Sequence, residues 1–186
     1  MRELIVTENI TLDGIIDLSA GWFAPAGDTT VDQSDVDDVL RKQSDAADAL
    51  LLGRVTFEQM RGYWPQQTND TSGVSDYLNG VSKYVFSSTL NDPEWEHTTV
   101  LDGPLTEEVR ALKTAAGLDI VITGSMTVVR QLIEAGLVNE YRLFVYPVVI
   151  GRGQRLFEDA TAVPKLELVE SKAFRAGIVL LRYRPC

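Results

Sequence analysis

The chain has 186 residues and a formal net charge of −10 at pH 7. That length suits one domain over residues 1–186, whose core would hide about 70% of the unfolded surface. The acidic balance argues against nucleic acid and anionic membrane as partners, since both repel such a chain. A small anionic ligand needs only a local positive pocket and stays compatible. Cys186 is the single cysteine, so no intrachain disulfide can form. The opening MRELIVTENITLDG is interrupted by charges and has no apolar leader core. The most apolar run, YRLFVYPVVIG, carries Arg142 and Pro147 and is too short to span a bilayer. A cytoplasmic protein is expected.

In chain order, residues 4–7 (LIVT) read as a buried strand, and TLDG follows with Gly14 allowing a turn. Residues 15–32 read as a loop holding Trp22 and Phe23. Apolar spacing at Val36, Val39 and Leu40 predicts a helix over about 32–47, with acids early, where the helix dipole favours them. ALLLG is a continuous apolar run, as in a strand covered on both faces. Residues 55–61 read as a helix and 62–80 as a second loop. KYVFSS reads as a strand and TTVLDG as a short one. A helix over 104–116 has Pro104 in its first turn. GLDIVITGS is a further strand, and a helix over 126–135 ends at Gly136. Three late strands follow: EYRLFVYPVVIGRG, KLELVES and GIVLLRYR, the last antiparallel to its neighbour. The alternation gives an α/β fold with a mostly parallel sheet and an antiparallel C-terminal end.

Ligands of open α/β sheets bind beyond the carboxyl ends of strands, where helices begin and free N–H groups favour phosphate. Three strand ends here offer that chemistry. In LLLGRVTFE, Gly53 permits close approach, Arg54 supplies a planar cation, and Thr56 can cap the helix or bond an anion. In VITGSMT, Gly124 follows a buried strand, and Ser125 and Thr127 stand at a helix start. In FSSTL, Ser87, Ser88 and Thr89 present hydroxyls. A capped turn explains the first two as well, and a polar loop the third. Neither glycine motif matches GxGxxG or the P-loop.

The order TLDG, LLLGRVTFE, KYVFSSTL, VITGS and LFVYPVVIGRGQRLFED resembles the dihydrofolate reductase superfamily. Within it, the chain looks most like the reductase domain of the riboflavin-biosynthesis deaminase/reductase, the RibD C-terminal domain, and its stand-alone relatives. The resemblance implies a three-layer fold with helices on both faces of the sheet, and NADPH as cofactor. By that likeness Gly53, Arg54, Val55 and Thr56 would hold phosphates. Ser87 and Ser88, with Arg54, would receive the 2′-phosphate. Thr123, Gly124, Ser125, Met126 and Thr127 would cradle the pyrophosphate, although the superfamily commonly has paired glycines where this chain has Gly124-Ser125. TLDG would be the loop beside the nicotinamide, with Asp13 and Gly14 at the reacting centre. An Asp-Gly turn accounts for Asp13 equally well.

Reduction of a C=N or C=O bond also needs a proton. The resemblance implies a carboxylate near the first helix, where Asp28, Asp32, Asp35, Asp37 and Asp38 compete; Asp32 is taken with Asp13 as the candidate catalytic pair. An acidic turn complementing the helix dipole explains most of these residues. The lone histidine, His97, lies among polar residues and reads as a surface side chain; no zinc ligand set is present. Trp22, Phe23, Tyr63 and Trp64 either stack on a flat heterocycle or cover the sheet edge. Tyr146, Pro147, Gly151, Gly153 and Gln154 form a late loop that the resemblance sets by substrate and in a homodimer interface; a turn after an interrupted edge strand explains them too. The reading is an NADPH-dependent reductase of a pterin, pyrimidine or related heterocycle. Its alternative is a non-catalytic protein that binds such a ligand on the same fold.

Overall fold

A computed structural model describes residues 1–18, 21–23, 31–157 and 165–186. The strands are β1 (Leu4–Thr11), β2 (Ala47–Gly53), β3 (Ser82–Phe86), β4 (Thr98–Leu101), β5 (Asp119–Ile122), β6 (Glu140–Tyr146), β7 (Leu166–Ala173) and β8 (Val179–Pro185). They form one sheet in the order β4-β3-β2-β5-β1-β6-β8-β7. Every pairing from β4 across to β6 is parallel. β8 runs antiparallel to both β6 and β7. The expected sheet, parallel with an antiparallel C-terminal end, is the one observed.

Helices cover both faces. Leu4, Val6, Ile10, Leu51, Ile120 and Ile122 point to one side, where Val109 of α4 (Leu105–Thr114) and Val129 and Leu132 of α5 (Met126–Glu134) pack on them. Leu50, Leu52 and Val85 point to the other, under Phe57 of α2 (Arg54–Tyr63) and Leu78 of α3 (Val74–Gly80). On that side, at the antiparallel end, α1 (Ser34–Asp45) lays Val36 against Phe144 and Leu180. The two-sided burial of β2 is what its unbroken apolar run requires. No helix among the described residues is long and apolar enough to cross a membrane.

Three elements depart from the sequence reading; one is the late strand read over EYRLFVYPVVIGRG, since β6 stops at Tyr146, before Pro147. The segment read as a loop over 62–80 contains α3. Its polar lead-in is a cap: Asp70 accepts the amides of Ser72 and Ser75 at 2.9 and 2.7 Å, and Gly73 turns with φ +84°. Trp64, 8% exposed, sits in the same cluster as Phe57, so it covers the sheet. The first strand runs to Thr11 instead of stopping at Thr7. β1 and β5 part after Val6 and Ile122, while β1 continues along β6 as far as the Thr11–Tyr146 pair. The central sheet edge is therefore stepped where β5 has left and β1 has not.

Candidate functional site

The carboxyl ends of β2, β3 and β5 lie side by side at one edge of the sheet because these strands are parallel neighbours. Two of the turns there interlock. The Gly53 amide donates to Ser125 Oγ at 2.8 Å, and the Ser125 amide donates to Thr56 Oγ1 at 2.9 Å. A Cβ on Gly53 would lie 3.3 Å from Val128 Cγ2, and one on Gly124 would lie 3.0 Å from Thr56 Cγ2. The approach is tight at both, and at Gly124 φ +60° favours glycine as well.

Ser125 follows with φ +54°, a left-handed conformation that a side chain disfavours. The serine offsets that cost by taking the Gly53 proton. In α5 the Val128 and Val129 amides return to the Ser125 carbonyl at 2.8 and 3.0 Å. The amides of Met126 and Thr127 have no acceptor among the described residues. They open the helix beside Thr127, whose side chain is exposed, and no acidic residue stands in that first turn. Two open amides at a helix start are donors of the kind that phosphate oxygens can take.

Around this centre, Arg54 is an exposed cation paired with Glu58 one turn on, at 3.0 Å. Val55 beside it is 59% exposed. The register Gly53–Phe86 puts Ser87 one residue past the strand partner of Gly53. Ser87 Oγ accepts the Thr89 and Leu90 amides at 3.1 and 2.9 Å, and Ser88 is exposed. Gly53, Ser87 and Gly124 thus stand on three successive strand ends of one sheet edge, with Thr123 linking β5 to its turn.

The TLDG loop and the late glycine loop close over the end of β1 as one platform. Leu12 donates to the Val148 carbonyl and Ile16 to the Gln154 carbonyl, each at 2.9 Å, and Ile15 forms a bridge with Arg155. Asp13 pins the two loops together: its carboxylate accepts the Thr11 hydroxyl at 2.6 Å and the Gly151 amide at 2.7 Å. The Thr11 hydroxyl first, and then the Gly151 amide, hold Asp13 below the usual carboxylate range. Arg155 donates to the Asp13 carbonyl and lies 3.7 Å from where Gly14 would carry a Cβ. Gly153 turns with φ +135° directly against Ile15, where a Cβ would meet Cγ2 at 2.8 Å.

Tyr146 ends β6 within an aromatic group: Trp22 meets it edge-on at 5.3 Å and Phe23 at 5.7 Å. Burial pushes the Tyr146 hydroxyl up to about 12. Trp22 Nε1 donates to the Asp17 carbonyl at 2.7 Å, and Pro147 beyond Tyr146 is exposed. Asp32 lies before α1, where its carboxylate accepts the Ser34 amide and hydroxyl and pairs with Arg175. The Ser34 hydroxyl, the Ser34 amide and then Arg175 bring it down to about 2. Asp28 falls outside the described residues. His97 is exposed in a turn with φ +59°.

Sequence reasoning passed over Glu8. It alternates with Leu4, Val6 and Ile10 toward the α5 face and is only 4% exposed. Burial raises its carboxyl to about 8, against the opposing hydrogen bond from the Gly124 amide. The available signal was an acid at the inward parity of an apolar strand.

A protein-family description, RibD C-terminal domain, matches residues 2–180 of the chain. The chain belongs to the RibD C-terminal domain family. A relative in sequence is the uncharacterized protein YyaP of Bacillus subtilis, 32% identical over 186 residues, or 98% of this chain and 94% of that one. In structure, the chain superposes on a pyrimidine reductase-like protein of Corynebacterium diphtheriae with a TM-score of 0.69 and 20% identity, covering 98% and 91% of the two chains. It also superposes on a diaminohydroxyphosphoribosylaminopyrimidine deaminase/5-amino-6-(5-phosphoribosylamino)uracil reductase of Thermotoga maritima with a TM-score of 0.66 and 18% identity. That match covers 100% of this chain and 57% of the other. At these identities the superpositions establish the RibD C-terminal, dihydrofolate-reductase-like fold.

Proposed function

We propose that this protein is an NADPH-dependent reductase of a nitrogen heterocycle of the pterin or pyrimidine kind. The observation that carries the reading is the interlocked pair of glycine turns, with the Met126 and Thr127 amides open beside them. These residues fit a pyrophosphate: the glycine turns pack closely against Val128 and Thr56, and the two amides beside them supply donors at the positive end of α5. Arg54 lies at the next strand end with one face exposed. It would receive the 2′-phosphate together with Ser88 and the Ser87 turn. When bound, the nicotinamide supplies the hydride for a C=N or C=O carbon.

The chain's own part is to bind, orient and exclude water. The Asp13-pinned platform would close one side of the β1–β5 step. The aromatic group of Trp22, Phe23 and Tyr146 offers flat apolar surface to a ring. The family and the names of two structural neighbours support that chemical kind of substrate.

A second reading is favoured by one observation. Asp13 and Asp32, the candidate proton donors, are both held ionised by their partners. A protein that binds coenzyme and heterocycle without turnover has the same cradle and needs no acid. Titrating NADPH while following its fluorescence tests the cradle, and saturation is expected. Consumption of NADPH absorbance with a panel of pterins and pyrimidines tests the reductase. Saturable binding with no consumption on any of them would favour the second reading. No binding at all removes both.

A further inference from the structure

Glu8 is a buried acid that the coenzyme reading leaves without a task. β1 carries it into the step where β5 turns away, two register positions past the Val6–Ile122 pair. Its Oε1 is buried and has no hydrogen-bond partner, and the Gly124 amide is the group that draws the carboxyl's pKa down against burial. The β1–β5 register, continued past Val6–Ile122, sets Glu8 level with Gly124 at the turn that starts α5, a helix of nine residues. An ionised carboxylate buried this way calls for a partner cation. On this face Leu143 of β6 is its register partner, Tyr141 of β6 stands opposite Val6 with its hydroxyl pushed up to about 12 by burial, and Ile122, Met126 and Val129 belong to the same core cluster. Arg130 of α5 donates Nη2 to the Arg155 carbonyl at 3.0 Å, Arg155 donates to the Asp13 carbonyl, and the Asp13 carboxylate faces Gly151.

We propose that Glu8 is the positioning residue of this anion site: as a neutral acid it holds the Gly124 amide and leaves the α5 N-terminus to an external phosphate or pyrophosphate, and as a carboxylate it takes the anion's place itself. The physical reason is a like-charge exclusion. A helix N-terminus favours one negative charge beside it, and a second in the same low-dielectric pocket is opposed. Binding of a phosphate anion above the Glu8 titration range is then accompanied by proton uptake. Below that range it is not. The assignment of NADPH as the natural anion rests on the reading above, whereas the exclusion applies to any phosphate anion.

The test compares the wild type with Glu8→Gln and Glu8→Ala, using NADPH and inorganic pyrophosphate as separate probes from pH 6.5 to 9.5. Wild-type affinity should be level near pH 6.5–7 and then fall by about tenfold per pH unit above the carboxyl's range. Glu8→Gln keeps the neutral shape, so it should match wild type at pH 6.5 and stay tight at pH 9. Glu8→Ala loses the group that holds Gly124 and should bind more weakly at every pH. Calorimetry of the wild type in buffers of different ionisation heat should find proton uptake at pH 8.5 and none at pH 6.5. This measurement stands even if a variant fails to fold. Parallel pH profiles for wild type and Glu8→Gln, or no proton uptake at pH 8.5, overturn the proposal. Pyrophosphate binding that follows the expected pattern, with no NADPH binding, sustains Glu8 and removes the coenzyme. Failure of both probes to bind at pH 6.5 overturns both.

Discussion

The amide of Gly53 donates to Ser125 Oγ at 2.8 Å across a separation of 72 residues. This bond joins the turn after β2 to the turn after β5 and sets the width of the cradle between them. Ser125 occupies a left-handed position that would suit glycine better, and the bond is what the serine offers in return.

Ser125→Ala should therefore remove the acceptor and keep the strain, lowering stability by about 1 kcal/mol. Ser125→Gly also loses the acceptor but relieves the left-handed side chain, so it should be more stable than the alanine variant by about 1 kcal/mol. Urea denaturation of the two variants checks the order. An alanine variant as stable as the glycine one would mean that φ at this position is not costly.

Gly124→Ala should strain the turn and push on Thr56 Cγ2, which would stand 3.0 Å from the new Cβ. NADPH affinity should fall by about tenfold or more, with stability lower by about 1–3 kcal/mol. Adding Thr56→Ser removes the crowding methyl while keeping the hydroxyl that accepts the Ser125 amide. The double variant should recover part of the loss, giving a coupling of about 1 kcal/mol in a double-mutant cycle. Strict additivity would deny the contact its role.

Arg54→Ala should separate the two nicotinamide coenzymes. Loss of a charge-assisted contact to the 2′-phosphate should weaken NADPH by about 10- to 100-fold. NADH, lacking that phosphate, should change little. Stability should hardly move, because the exposed pair with Glu58 is of a kind that contributes about 0.3–0.5 kcal/mol. Equal weakening of both coenzymes would take Arg54 away from the 2′-phosphate.

Asp13 and Glu8 should give opposite pH dependences of stability. Asp13 has a folded pKa below its unfolded one, so its stabilising contribution is present above the ordinary carboxylate range and is lost as pH falls through the folded value. The stability gap between wild type and Asp13→Asn should be level from pH 5 to 7 and close in stronger acid. Glu8 has its folded pKa raised to about 8. Stability is greatest while the acid is neutral in both states and falls as pH climbs from about 4.5 toward 8, by a few kcal/mol in total, at about 1.4 kcal/mol per pH unit. Glu8→Gln should lack this decline. Denaturation midpoints at a series of pH values read both curves, and a flat wild-type-minus-Gln difference would show that Glu8 is solvated.

Much of the sheet was written in local pattern. The unbroken apolar run of β2, the helix α5 ended by Gly136, and the glycines and hydroxyls at the strand ends all follow from spacing and side-chain type, since each depends on near neighbours. Helix α3 was hidden because its cap, Asp70 with Ser72 and Gly73, has the composition of a loop. The second half of β1 was hidden because Thr7, Glu8 and Asn9 look like an exit from a core, although Glu8 turns inward.

By itself the sequence determined the alternation of strands and helices, the acidic surface, and the phosphate-type residues at three strand ends. Only the tertiary structure decided which of these meet. The Asp13 carboxylate reaches the Gly151 amide across 138 residues, and Thr56 reaches Ser125 across 69. No local rule encodes such pairs, because their partners are chosen by strand order and by the step between β1 and β5. The same step turns Glu8 from one more acid in an acidic chain into a buried group beside a helix start. Its burial there, and hence its protonation, is a property of the folded sheet.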